Sequence, residues 1–249
     1  RENTILRANL DPRRTYVIPN AIITDQFKPD PQPFNPERSD SFDILLRHCL
    51  KLISPILSTS APKVCALHPN VHFIIGGSGP KMIDLLQMRE KYLLQDRIEL
   101  IGEIPHSQVR DVLVRGTVYL NTSLTEAFGI ALLEAACAGL YVVSTRVGGV
   151  PEVLPEDMVS FAMPNEDDIV HALNKAIAIV SANGHDPIKA HQRIKSMYDW
   201  ESVTERTEKV YDEIMEREPI DLWTRMHRSV PIEKYIPGPE LYGLGLSQG

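Results

Sequence analysis

Cysteine is scarce: Cys49, Cys65 and Cys137 are the three in 249 residues. They are odd in number, widely spaced and outside any metal-binding pattern. A disulfide framework is therefore excluded, and reduced, partly buried thiols in a cytosol-like environment are expected. The chain also lacks an apolar run near the about 18 residues needed to cross a bilayer, and no leader peptide is visible. No block of Lys and Arg stands out. Asp and Glu number 33 against 26 Lys and Arg, for a formal net charge of −7. Nucleic acid is thus a disfavoured partner, since that binding rests on neutralising phosphates. No Asp-x-Asp pair is present to hold a nucleotide-bound divalent ion. The eight histidines lack ligand spacing and have no evident Ser or Cys partner, which argues against nucleophilic hydrolysis. With Arg1 rather than Met in first place, the chain reads as starting in mid-protein, as a fragment would.

What is present is ordinary globular material. Hydrophobic residues make up 43 % and charged residues 24 %, enough for a full core in one large domain or two small ones. Short apolar runs read as strands at 15–22, 71–80 (ending in a glycine turn), 97–102, 118–123, 141–145 and 158–162. Between them, helical spacing of apolar residues appears at 81–94, 107–116, 129–139 and 166–182, with a short helix start at 150–154. Strands alternating with helices imply βαβ units and a parallel, doubly wound sheet of Rossmann type. The strands are continuously apolar, as strands covered on both faces should be. Residues 25–41 carry four prolines and read as a linker. After Trp200 a charged helix closes the domain. Residues 219–249, with Pro219, Pro231, Pro237 and Pro239, read as a poorly ordered tail. The expected organisation is an N-terminal remnant and linker at 1–41, a Rossmann-like domain with its closing helix at 42–218, and the tail.

One stretch carries chemistry: "TSLTEAFGIALLEAACAGLYVVSTRVGGVPEVL", Thr122 to Leu154. Glu126 and Glu134 stand with seven residues between them. Ligands of doubly wound sheets bind beyond the carboxyl ends of the strands, and this stretch follows such an end. A helix starting near Gly129 presents free N–H groups and a positive dipole end to a diphosphate. A glycine there lets backbone and ligand approach. Glu134 can accept hydrogen bonds from a vicinal diol such as ribose, and Glu126 from a hexose. The plain alternative is a loop Glu and an exposed helix Glu. It is opposed by "EAACAG", which is small and apolar all round and so is packed. "GGSGP" (Gly76–Pro80) and "RVGGVPE" (Arg146–Glu152) read either as tight βα turns or as phosphate-side loops. "EDD" at 166–168 reads as a helix start stabilised by first-turn carboxylates.

E-A-F-G-I-x-x-x-E, followed by G-L-x-V-V-S-T-R-V-G-G-V-P-E-V-L, resembles the donor-binding domain of retaining GT-B glycosyltransferases. With "VIPNAI", "FIIGGSGPK", "NTSLTEAF" and "WESVTERTEKVYDEI", the chain is similar to one family among them, the PIG-A-type catalytic subunits of the GPI N-acetylglucosaminyltransferase complex. That resemblance implies the C-terminal half of a GT-B fold. It implies transfer of GlcNAc from UDP-GlcNAc to phosphatidylinositol, the first step of GPI-anchor biosynthesis, with other subunits of the complex, at the cytoplasmic face of the endoplasmic reticulum membrane. It implies no metal cofactor. Glu126 then contacts the transferred sugar as the catalytic position. Phe128, Gly129 and Ile130 offer N–H groups to the donor, Glu134 binds ribose, and Gly76 and Gly77 line the floor of the site. Three departures stand out. An acceptor domain is missing, the family's C-terminal membrane segment is replaced, and residues 42–61 do not match. There the family has a strand ending in S-R-L-x-x-x-K-G, whose Arg and Lys grip the diphosphate. Arg47 and Lys51 are differently spaced, as a shifted reading frame would leave them. Two alternatives stay open: another GT-B glycosyltransferase, or an inactive donor-domain fragment serving as an interaction subunit.

Overall fold

The structure, a computed structural model, describes residues 5, 10–30, 42–47, 55–217 and 223. The chain divides into two units, residues 1–206 and 207–249. The first holds a six-stranded sheet: β1 (Phe42–Arg47), β2 (Val71–Gly76), β3 (Ile98–Gly102), β4 (Val118–Asn121), β5 (Tyr141–Thr145) and β6 (Val159–Ala162). The order is β3-β2-β1-β4-β5-β6, and every neighbouring pair is parallel. The chain steps outward from β1 to β3, returns to the other side of β1 at β4, and steps outward again. That reversal is the topological switch point of a doubly wound sheet, and it lies between β1 and β4.

Alternation along each strand builds two cores. Ile44, Phe73, Ile75, Val118, Leu120, Tyr141 and Val143 face one way. They meet α1 (Pro55–Leu67), α2 (Met82–Lys91) and α5 (Glu166–Ser181) through Leu57, Val64, Leu85, Ile169 and Leu173. Leu45, Ile74, Tyr119 and Val142 face the other way. They meet α3 (Val109–Leu113), α4 (Ile130–Cys137) and α6 (Pro187–Tyr198) through Val109, Leu133, Ala136 and Ile194. Residues one apart on a strand point to opposite faces, so continuous apolar runs are what a sheet covered on both sides requires. A last helix, α7, runs over Trp200–Met215.

The sequence signals explain the starts of α5 and α6. Asn165 accepts a hydrogen bond from the Asp168 N–H at the start of α5. Glu166 and Asp167 of that first turn pair with Lys63 of α1, as the expected helix-start role of "EDD" allows. The helix α6 has no counterpart among the sequence expectations, although its signal is plain. Asp186 accepts from the Ile188 and Lys189 N–H groups, with Pro187 in the first turn, a combination that pre-forms a helix start.

Several expectations are corrected. No strand forms over Thr15–Ile22; the Ile22 N–H donates instead to the Tyr198 carbonyl at the end of α6. Within the expected linker, Thr24–Phe27 forms a 3-10 turn with Thr24 and Phe27 buried, and residues 31–41 lie outside the described residues. So does the expected tail, apart from Trp223. The helix expected at 107–116 is a 3-10 turn at His106–Gln108 followed by the short α3. The start at 150–154 is a 3-10 turn over Val150–Glu152. Residues 42–47, which depart from the family pattern, supply the central strand, with all six opposite β2. Cys65 and Cys137 are both buried, and Cys49 lies outside the described residues. Burial pushes the Cys137 thiol up to about 12, with the charge of Asp25 adding to it, so it stays protonated and inert.

Candidate functional site

The site grows from the carboxyl end of β4. Asn121, Thr122 and Ser123 are all buried, where polar groups must be paired. The Asn121 amide donates to Ser144 Oγ at 3.0 Å. Its carbonyl oxygen accepts from the Ser123 hydroxyl at 2.8 Å and faces the Ser123 N–H at 3.3 Å. Thr145 Oγ1 donates to the Ser123 carbonyl. The first residues beyond β4 are thereby tied to the end of β5.

Glu126 lies in the next stretch, partly buried. Its carboxylate turns back toward the start of α4, with Oε1 facing the Phe128 N–H at 3.4 Å. Its carbonyl accepts from the Gly149 N–H at 3.1 Å. This contact explains the paired glycines. A Cβ on Gly148 would stand 1.9 Å from the Glu126 carbonyl oxygen, and one on Gly149 would stand 2.1 Å from that of Ala127. Gly148 also has φ +54°. The "RVGG" loop is therefore a tight βα turn and also the backing of the Glu126 loop.

Gly129 ends that loop with φ +81°, and a Cβ there would stand 2.3 Å from Leu132 Cδ1. No side chain caps α4, so the helix start lacks the usual partner for its orphan N–H groups. The interior of α4 is buried, and Glu134 is buried with it at 4 % exposure. A carboxylate held that far from water requires polar partners. One neighbour is His106, whose Nε2 stands 3.5 Å from Glu134 Oε1. His106 belongs to the segment after β3. Sequence reasoning passed over it, because nothing local joins position 106 to position 134.

The β2 turn reaches the same segment. The Gly77 N–H donates to the Gly102 carbonyl at 2.5 Å, and a Cβ on Gly76 would stand 2.3 Å from Ile104 Cδ1. The structure thus groups the candidate residues in two sets. Glu126, Phe128 and Gly129 join the start of α4 to the β5 loop. Glu134 joins the interior of α4 to the β3 segment, to which Gly76 and Gly77 are tied. Ile130, the first residue of α4, is exposed at 45 %. Arg47 ends β1, and Lys51 lies outside the described residues. Among the described residues, no group of three His, Cys, Asp or Glu side chains is disposed to hold a metal ion. No helix among them is long and apolar enough to cross a membrane.

A doubly wound parallel sheet with a carboxylate-bearing helix rising from the strand beyond its switch point is the architecture of one half of a GT-B fold. The family model described as "Glycosyl transferases group 1" matches residues 55–196, and the chain belongs to that family. It is 50 % identical over 226 residues to the phosphatidylinositol N-acetylglucosaminyltransferase gpi3 subunit of Schizosaccharomyces pombe, covering 91 % of this chain and 49 % of that protein. It is 43 % identical over 220 residues to the phosphatidylinositol N-acetylglucosaminyltransferase GPI3 subunit of Saccharomyces cerevisiae, covering 86 % of this chain and 49 % of that protein. The chain thus spans about half the length of these relatives. Among solved structures, Anabaena HepE in complex with UDP superposes with a TM-score of 0.71 at 17 % identity, covering 85 % of this chain and 61 % of that one. At that identity the likeness concerns the fold.

Proposed function

We propose that this chain is the donor-binding half of a glycosyltransferase that moves GlcNAc from UDP-GlcNAc to phosphatidylinositol, the first step of GPI-anchor biosynthesis. It acts with other subunits of a complex at the cytoplasmic face of the endoplasmic reticulum membrane and uses no metal ion. The observation that carries the proposal is the buried Glu134 carboxylate, one turn into an uncapped helix at the carboxyl edge of the sheet. The identity to the two yeast GPI3 proteins supports the choice of sugar and acceptor.

In this reading Glu134 accepts hydrogen bonds from the ribose diol. The start of α4, with the N–H groups of Phe128, Gly129 and Ile130, faces the diphosphate, where its dipole favours negative charge. Glu126, braced by Gly149, faces the sugar. Gly76 and Gly77 keep the β2 turn low enough for the donor to lie across it. The bond between the sugar and UDP breaks as the acceptor oxygen bonds to the same carbon. The acceptor proton passes to the departing diphosphate. The protein contributes orientation and fixed charge rather than a nucleophile.

Calorimetric titration of UDP-GlcNAc tests the proposal. Saturable binding is expected, together with a loss of about 30-fold or more in affinity on Glu134→Ala, the order of magnitude for removing charged hydrogen bonds. An unsubstituted chain that takes up no UDP-GlcNAc overturns the proposal in favour of an interaction subunit.

A further inference from the structure

We infer that His106 is a positioning residue for the nucleoside end of the donor, holding the Glu134 carboxylate in the orientation that accepts a vicinal diol. The inference rests on the reading of Glu134 as the ribose-binding carboxylate.

Four observations carry it. Glu134 has a side chain only 6 % exposed, and the His106 imidazole, itself 67 % exposed, reaches it with Nε2 at 3.5 Å from Oε1. The imidazole is not loose. It stands edge-on to the buried Phe27, with centroids 6.3 Å apart and planes at 89°. The segment that carries it is anchored where the Gly77 N–H meets the Gly102 carbonyl. Finally, His106 opens the 3-10 turn His106–Gln108, whose last residue leads directly into α3.

The separation of 3.5 Å is ion-pair range and somewhat longer than a full hydrogen bond. Nε2 carries a proton in one neutral tautomer and in the imidazolium, so either form can turn an N–H toward Oε1. An exposed imidazole buries little surface, so its loss should cost the fold almost nothing. It should cost ligand binding selectively, and only for ligands that carry the diol.

The test uses UDP and 2′,3′-dideoxyuridine diphosphate, titrated calorimetrically into the unsubstituted chain, His106→Phe and His106→Gln. Phe keeps the ring against Phe27 and removes the N–H; Gln restores a donor. UDP affinity is expected to fall about fivefold in His106→Phe and to recover to within about twofold in His106→Gln, the range of one hydrogen bond. The dideoxy ligand should bind all three alike. The inference is overturned if His106→Phe binds UDP as tightly as the unsubstituted chain, or if it weakens both ligands equally. If the unsubstituted chain does not distinguish the two ligands, the ribose reading of Glu134 fails first, and this inference with it.

Discussion

Glu126 and Glu134 are eight positions apart in the chain and held in opposite ways. Glu134 rides on a packed helix, is buried, and meets a side chain from a distant segment. Glu126 sits in a loop, partly buried, and is secured through its backbone by the glycine pair of the next loop. A residue on a rigid element keeps a fixed feature of the ligand in place. A residue on a braced loop can be adjusted by changing the brace. On the proposed function, the two positions would meet the two demands of a sugar-nucleotide: a nucleoside that is the same in every turnover, and a sugar that must be reached by an acceptor.

This contrast can be broken most severely from the loop side. Gly148→Ala places a methyl group 1.9 Å from the Glu126 carbonyl oxygen at a backbone φ of +54°. It should lower stability in urea unfolding by about 4 kcal/mol, from overpacking and left-handed strain together. An unchanged unfolding midpoint would mean that the two loops are not mutually braced. Asn121→Ala removes the hydrogen bonds to Ser144 and Ser123 and leaves their groups buried. A loss of about 2 kcal/mol in the same measurement is expected.

Glu134→Gln sharpens the comparison from the other side. The amide keeps the side chain's volume and one acceptor oxygen, so stability should stay within about 1 kcal/mol while UDP affinity falls. A variant that is less stable and still binds UDP would mark Glu134 as structural. The smallest effect belongs to Glu126→Gln. Its side chain is partly exposed and its bracing runs through the backbone, so stability should stay within about 0.5 kcal/mol and UDP affinity should hold. A large drop in either would show that the Glu126 carboxylate itself holds the loop.

Much of this was legible in advance. The runs beginning at Val71, Val118 and Tyr141 are mainly apolar and became the inner strands β2, β4 and β5, because both faces of the sheet had to be covered. "EAACAG" is small and apolar all round, and the helix that carries it is packed as expected. The "VGG" pair was open between a tight turn and a phosphate-side loop, and its contacts with the Glu126 loop make it a tight turn. Elsewhere local propensity misled. Thr15–Ile22 has strand-forming residues, yet its Ile22 N–H bonds to Tyr198. The Asp186-Pro187 signal of α6 was present and unread. Residues 42–47 looked foreign to the family pattern and still occupy the centre of the sheet, since Ile44 and Leu45 alternate between the two cores as a central strand requires.

By itself, then, the amino-acid order determined the alternation of strands and helices, the doubly wound class and the helix that bears Glu134. Each of these depends on periodicity and turn chemistry within a few residues. Only the tertiary structure decided that the β5 glycines brace Glu126, that Asn121 is tied to β5, and that His106 faces Glu134. Those contacts join segments more than twenty residues apart, and no local rule of spacing or propensity links residues whose proximity comes from the order of strands in a sheet.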